Sequence, residues 1–180
     1  MSDFMKILKE RRSVRKYEDR QIPEDVLNTI YESVQWSPSW ANSQCWEIVN
    51  VKDETLRKKL QETMSAGNPS TKAIVNAPVL LAICGKKGVS GFYDGKVSTK
   101  LGEWMMFDLG IATQSLCLCA KAHGIGSVVV GLYDIDKAAE VIKLPEGYEL
   151  VALIPMGYPI KQSKGPKRKE IDEFVRIDTF

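Results

Sequence analysis

One stretch constrains this chain more than any other. Between about residues 99 and 123 runs the sequence LGEWMMFDLGIATQSLCLCAKAH, apolar nearly all round and interrupted by Glu103, Asp108 and Lys121. A helix without a polar face has to be enclosed, in a protein interior or in an interface. Its charges set it apart from a membrane span.

The chain is large enough to enclose it. Its 180 residues, 44% of them hydrophobic, can fill one compact core, so residues 1–180 are expected to form a single domain. The 25 Lys plus Arg nearly balance 23 Asp plus Glu, and a formal charge of +2 gives no broad attraction to nucleic acid or acidic membranes. Any basic function must be local. The N-terminal MSDFMKILKERR scatters charges among its apolar residues and so lacks the core of a signal peptide and the length of a membrane span. A cytoplasmic location is expected. Cys45, Cys84, Cys117 and Cys119 lie in apolar surroundings without CxxC spacing, which suits buried reduced thiols better than disulfides or zinc. His123 is the single histidine, which rules out a multi-histidine metal site. It precedes Gly124, where a helix should stop. If the chain is an enzyme, its chemistry is expected to fall to a cofactor.

Along the chain, Phe4, Ile7, Leu8 and Arg11 share helical spacing behind a Ser2/Asp3 cap, and the basic run RRSVRKY begins where that helix ends. Pro23 opens a second helix with an apolar stripe of Val26, Leu27, Ile30, Tyr31 and Val34. CWEIVNV is expected to be a strand, with Asp53 capping a helix that carries Leu56, Leu60 and Met64. VLLAIC reads as a strand buried on both faces, and GKKGVSGFYDGK as a loop. Gly124 and Gly126 turn the chain into SVVVG, a third strand; IDKAAEVIKL supplies a short helix and YELVALIPMGYP a fourth strand. Helices and strands interleave without repeats or a long linker, giving an α/β or α+β domain. Phe174, Val175, Ile177 and Phe180 are too apolar for a free end and are expected to pack on something, a partner subunit being one candidate.

Four segments carry possible chemistry. Arg11-Arg12-Ser13-Val14-Arg15 gathers guanidiniums and a hydroxyl at one helix-to-loop junction, a set that suits a phosphate, although alone it reads better as a solvated basic turn. The loop SPSWANSQ is dense in donors and acceptors, with Trp40 and Gln44 unusual for an ordinary turn. The run GIGSVVVG could expose backbone N–H groups near Gly131, but it is not the dinucleotide fingerprint, in which the strand comes first. Gly165-Pro166-Lys167-Arg168-Lys169 is a second basic cluster that alone suits a solvated tail.

Their order, RRSVR, PSWANSQ, GIGS, PMGYP and then KRK, resembles the nitroreductase family over essentially the whole chain. The resemblance implies an α+β fold: a central, mainly antiparallel or mixed sheet of four strands flanked by helices, with a C-terminal segment exchanged in a homodimer. It implies that FMN is the cofactor, with Arg11, Arg12, Ser13 and Arg15 on its phosphate and nearby atoms and Lys167 and Arg168 closing on the phosphate. Pro38, Ser39, Trp40 and Asn42, with Gln44, would reach the flavin from the other subunit, making each site composite. Val129, Val130 and Gly131 would face the pyrimidine side of the ring, and Asn68 could supply a further contact. The family usually follows its Gln with Pro, where this chain has Cys45.

The activity implied is a ping-pong reaction: NADH or NADPH delivers hydride to the flavin, and an electron-poor small-molecule acceptor such as a nitroaromatic or quinone removes it. No catalytic side chain, metal, nucleic acid or membrane is required. The rivals are a flavin-destroying or dehalogenating relative on the same fold and a non-catalytic flavin-binding or storage protein. A small basic nucleic-acid module is disfavoured by the near-neutral charge.

Overall fold

A computed structural model describes residues 3–161 and 164–180. The chain runs through α1 (Asp3–Glu10), α2 (Glu24–Gln35), β1 (Trp46–Asn50), α3 (Glu54–Glu62), α4 (Thr71–Asn76), β2 (Val79–Lys86), β3 (Phe92–Tyr93), β4 (Lys96–Val97), α5 (Met105–Ala122), β5 (Gly126–Ser127), α6 (Ile135–Val141) and β6 (Tyr148–Gly157). Ser2 of the expected first cap lies outside the described residues. The expected α+β architecture is present: one four-stranded sheet in the order β1-β2-β6-β5, with every neighbouring pair antiparallel.

The sheet is the middle of three layers, and the side-chain alternation of β2 shows why. Val79, Leu81 and Ile83 point to one face, packing with Leu109, Leu116 and Ala120 of α5 and Ile30 of α2. Leu80, Ala82 and Cys84 point to the other, against Leu60 of α3, Ile74 of α4 and Ala138 of α6. A strand whose two faces are both covered by helices needs apolar residues at every covered position, and β2 has them from Val79 to Cys84.

Local chemistry sets the element ends. Pro23 sits at the N-cap of α2, one position before its expected place inside the helix, with Glu24 and Asp25 in the first turn. The Asp53 carboxylate accepts from the Leu56 N–H at 2.9 Å and starts α3, which ends before Met64; Met64 instead bridges Tyr133.

Helix α5 is shorter than its apolar run. Residues 99–104 form a turn, because Gly102 takes a left-handed φ of 78° and the Trp104 N–H is drawn to the Ser90 carbonyl at 3.0 Å. Met105, Leu109, Ala112, Leu116 and Ala120 form the buried face. The opposite face is apolar and open within the chain: Met106 is 61% exposed and Phe107 59%. They border a groove with Phe4 of α1 and Trp36 at the end of α2. Among the described residues no helix is long and apolar enough to cross a membrane.

Two expectations are corrected. The segment GKKGVSGFYDGK contains a hairpin, β3 with β4, turned by Asp94 and Gly95 at φ 48° and 73°. The Asp-Gly pair is the usual signal for such a turn. The run SVVVG is a strand only at its start. Gly126 and Ser127 pair with Gly157 and Met156, and Val130 exchanges two bonds of 2.9 Å with Leu153, but between them the Val128 N–H reaches the Pro155 carbonyl at 3.4 Å. Pro155 has no N–H to return, so the ladder lapses there.

Beyond β5 the sheet is extended by the basic segment: Ser13 bridges Ser127 in parallel, and the Val14 N–H donates to the Ser127 carbonyl at 2.9 Å. The absent side chain of Gly126 makes room, since a Cβ there would lie 2.6 Å from a Val14 methyl. Gly126→Ala is expected to destabilise the fold by about 1–3 kcal/mol, the cost of overpacking. Urea denaturation would measure it, and an unchanged midpoint would contradict this packing.

Candidate functional site

The segment that follows α1 builds a basic cradle on the sheet edge. The Arg11 N–H still donates to the Ile7 carbonyl at 2.9 Å, and residues 13–14 then run extended beside β5. Arg11 and Ser13 therefore meet Ser127 and Val129 at the rim of a cavity of about 410 Å³, with Leu109, Gly110 and Cys117 of α5 among its lining residues. Gly110 has nothing within 4 Å of where a side chain would begin.

Arg12 turns its guanidinium the other way. Its Nη1 donates to the Arg11 carbonyl at 2.6 Å, while Nε is buried and has no partner among the described residues. The backbone of Gly165 packs so closely on that guanidinium that a Cβ there would collide with it. This contact docks the tail on the first basic cluster. Lys167 and Arg168 follow, both exposed, with Arg168 Nη1 donating to the Pro166 carbonyl at 3.1 Å. The two clusters, far apart in sequence, are thus brought together.

Arg15 leads to the remaining residues. Its Nε donates to the Ser70 hydroxyl at 3.0 Å, and the Ser70 N–H donates to the Asn68 side-chain oxygen at 2.9 Å. The Asn68 amide nitrogen donates to the Leu132 carbonyl, also at 2.9 Å. Asn68 therefore lies beside the 129–131 segment, with both ends of its amide engaged. Ser70, which carries no sequence signal of its own, completes the link. Within that segment Val130 is a core residue, its backbone committed to Leu153 in both directions; Val129 and Gly131 are the exposed members.

The SPSWANSQ loop forms a separate structure organised by Asp108. That carboxylate, 1% exposed, accepts from the Trp40 N–H at 3.2 and 3.1 Å, the Ser43 hydroxyl at 3.3 Å, the Cys45 thiol at 3.8 Å and the Ser90 hydroxyl at 2.6 Å. Ser43, Cys45 and Ser90 all reach Oδ2 and the Trp40 N–H is shared between both oxygens, so donors meet the buried carboxylate with no cation among these hydrogen-bond partners. The loop needs such an anchor. Ala41, Asn42 and Gln44 have φ values of 44°, 55° and 45°, and left-handed non-glycine residues cost on the order of 1–3 kcal/mol each. Inside the loop the Asn42 N–H donates to the Ser39 carbonyl at 3.0 Å and the Gln44 N–H to the Ser39 hydroxyl at 2.9 Å.

Trp40 meets Trp104 at 5.2 Å and Tyr93 of the hairpin at 6.0 Å, both at tilted ring angles, and its buried Nε1 has no partner among the described residues. Pro38 and Asn42 are exposed, and Gln44 faces a different groove, with Tyr31 and Trp46. No residue from 38 to 44 lines the cavity beside Arg11. On one chain the loop and the basic cradle are therefore separate. Sequence reasoning treated Asp108 as an interruption and passed over Ser90 and Tyr93; the available signal was a single carboxylate inside an apolar helix, which must be paired once buried.

Three of the four cysteines are buried. Burial, and then the negative charge of Asp108, push the Cys45 thiol up to about 11. Folding thus favours the protonated thiol, and that contribution is complete below the ordinary thiol value of about 9 and lost as pH rises through about 11. Cys45 should resist iodoacetamide at pH 8 in the folded chain, and the melting temperature should fall across that alkaline window. Alkylation as fast as in urea would contradict the buried placement.

A four-stranded antiparallel sheet between helical layers, with a basic cradle on one edge and a polar loop tied to the central helix, defines a structural class. The nitroreductase family's sequence model matches residues 8–158, and the chain belongs to that family. A Methanothermobacter thermautotrophicus protein named NADH dehydrogenase/NAD(P)H nitroreductase is 29% identical over 97% of this chain and 85% of its own length. A Bacillus subtilis protein named FMN reductase [NAD(P)H] is 28% identical over 100% of this chain and 75% of its own. The solved structure of an FMN-dependent nitroreductase from Clostridium difficile R20291 superposes with a TM-score of 0.80 at 23% identity, covering 98% of this chain and 99% of that one. That likeness shows the fold.

Proposed function

We propose that this chain binds FMN and works as an NAD(P)H-dependent oxidoreductase, reducing small electron-poor acceptors such as nitroaromatics or quinones by a ping-pong mechanism. The observation that carries the reading is the cradle, in which the RRSVR segment pairs with the edge of β5 beside a cavity floored by α5 and the basic tail docks on Arg12. Its donor set fits the cofactor: the Arg11 guanidinium and the Ser13 hydroxyl, both at the cavity rim, suit a phosphate. The names of the two relatives point to the same chemistry.

FMN, once bound, supplies the hydride-transferring centre that the side chains lack. The chain's part is to bind, orient and exclude water. Arg11, Arg12, Ser13 and Arg15, with Lys167 and Arg168, would hold the phosphate and adjacent polar atoms; Val129 and Gly131 would border the ring, with Asn68 holding that segment in place. Fixed cations near a group that gains negative charge stabilise it with little reorganisation, a role Arg15 could fill because Ser70 orients it.

The second half of the site would come from another copy of the chain. Residues 1–180 would act as one domain within a homodimer, with Pro38, Ser39, Trp40, Asn42 and Gln44 of one protomer supplying the cradle of its partner. Three features support this: the loop does not line its own chain's cavity, the Met106–Phe107 face of α5 is open, and the tail residues Phe174, Ile177 and Phe180 are exposed. Use of NADH or NADPH accords with a cytoplasmic setting.

The test is spectroscopic. Purified protein titrated with FMN and then mixed anaerobically with NADH, or separately with NADPH, is expected to show bleaching of the flavin band. Bound flavin that stays oxidised with both would favour a storage protein, and no flavin binding would overturn the reading. Arg15→Ala is expected to weaken FMN binding by about 1.5–3 kcal/mol, the worth of hydrogen bonds to a charged group, measured by flavin fluorescence. Sedimentation of the loaded protein should give a dimer; a monomer with a full complement of flavin would contradict the composite site.

A further inference from the structure

Asp108 does not line the cavity beside Arg11, yet its carboxylate joins two segments that are far apart in sequence. From one side it takes the Trp40 N–H and the Ser43 hydroxyl; from the other, the fully buried Ser90 hydroxyl at 2.6 Å. Ser90 lies two residues before the β3–β4 hairpin, and its carbonyl accepts from the Trp104 N–H at 3.0 Å. The same carboxylate therefore holds the backbone of Trp40 and the root of the hairpin. The consequence is an aromatic wall in which Trp40 contacts Trp104 and Tyr93, while Trp104 also contacts Phe107 edge-on at 5.2 Å. Offset and edge-on aromatic contacts have defined geometry, so a wall of this kind is only as well placed as its anchors. Trp40 is held in a loop of left-handed residues that would not keep this shape unaided. The wall presents open aromatic surface, since Tyr93 is 60% and Phe107 59% exposed.

We propose that Asp108 is a positioning residue for the electron acceptor: by clamping the 38–44 loop to the hairpin it sets the aromatic wall on which a planar aromatic acceptor is aligned. The inference rests on the flavin reading above and deepens it. Asp108→Asn keeps the shape, but its NH₂ cannot accept: at the Oδ1 position it opposes the Trp40 N–H, and at Oδ2 it also faces Ser43 and Ser90. Alignment of a flat aromatic acceptor should suffer, whereas reduction of a compact inorganic acceptor by protein saturated with FMN should not.

The test uses the FMN-loaded protein with 2-methyl-1,4-naphthoquinone and with ferricyanide as acceptors. For Asp108→Asn the expected result is a KM for the quinone raised threefold or more. With FMN saturating, the ferricyanide KM should stay within twofold of wild type. A quinone KM raised by less than threefold, or an equal rise in the KM of both acceptors, would overturn the proposal. If Asp108→Asn does not fold, Ser90→Ala, which cuts only the hairpin side of the clamp, decides by the same criteria. Wild-type protein whose flavin is not bleached by either nicotinamide would instead remove the flavin reading, and this inference with it.

Discussion

A buried carboxylate that four hydrogen-bond donors satisfy is the constraint on which much of this structure depends. Asp108 sits in the first turn of α5, where the helix dipole favours a negative charge, and it draws in the polar loop and the hairpin root that flank that helix end. An unpaired charge at this depth would be prohibitively costly, so the donors are structural requirements. Because the donors include the backbone of Trp40, satisfying one charge also fixes the conformation of a strained loop. The strain and the anchor are coupled: left-handed Ala41, Asn42 and Gln44 persist because Ser43 and Trp40 are held.

At the other face of α5 the organising element is the edge of the sheet. β5 is only two residues long, and the chain between α1 and α2 takes its far side through Ser13 and Val14. That pairing fixes where Arg11 and Ser13 point, while the closeness of Gly165 to Arg12 fixes where the tail returns. A basic cradle is thereby assembled from the two ends of the chain, with backbone hydrogen bonds setting the course of its first segment. The same molecule carries an open apolar face on α5 and an exposed apolar tail.

Much of this was legible in the sequence because the signals were local. The stripe of α2, the Asp53 cap, the continuous apolar run of β2 and the glycine after His123 each follow from contacts within a turn or two, and each appears where its chemistry places it. The basic clusters and the polar loop were visible as clusters. Where the reading went wrong, a distant partner decided. The SVVVG strand lapses because Pro155, on the opposite strand, lacks an N–H; Met64 leaves its helix to bridge Tyr133; residues 99–104 leave theirs for Ser90. The hairpin at Asp94-Gly95 is an exception, since its turn signal was local and present.

The sequence by itself determined the periodicities, the caps, the apolar strand and the set of residue types that could hold a phosphate, because these depend on spacing and on each side chain's own chemistry. Only the tertiary structure decided that Asp108 is a clamp and not an interruption, that Arg12 meets Gly165, that Arg15 is oriented through Ser70, and that Val130 belongs to the core while Val129 faces the cavity. The physical reason is the same in each case. A buried charge or an unpaired backbone group must find its partner wherever the fold brings one, and that partner's position along the chain leaves no local trace.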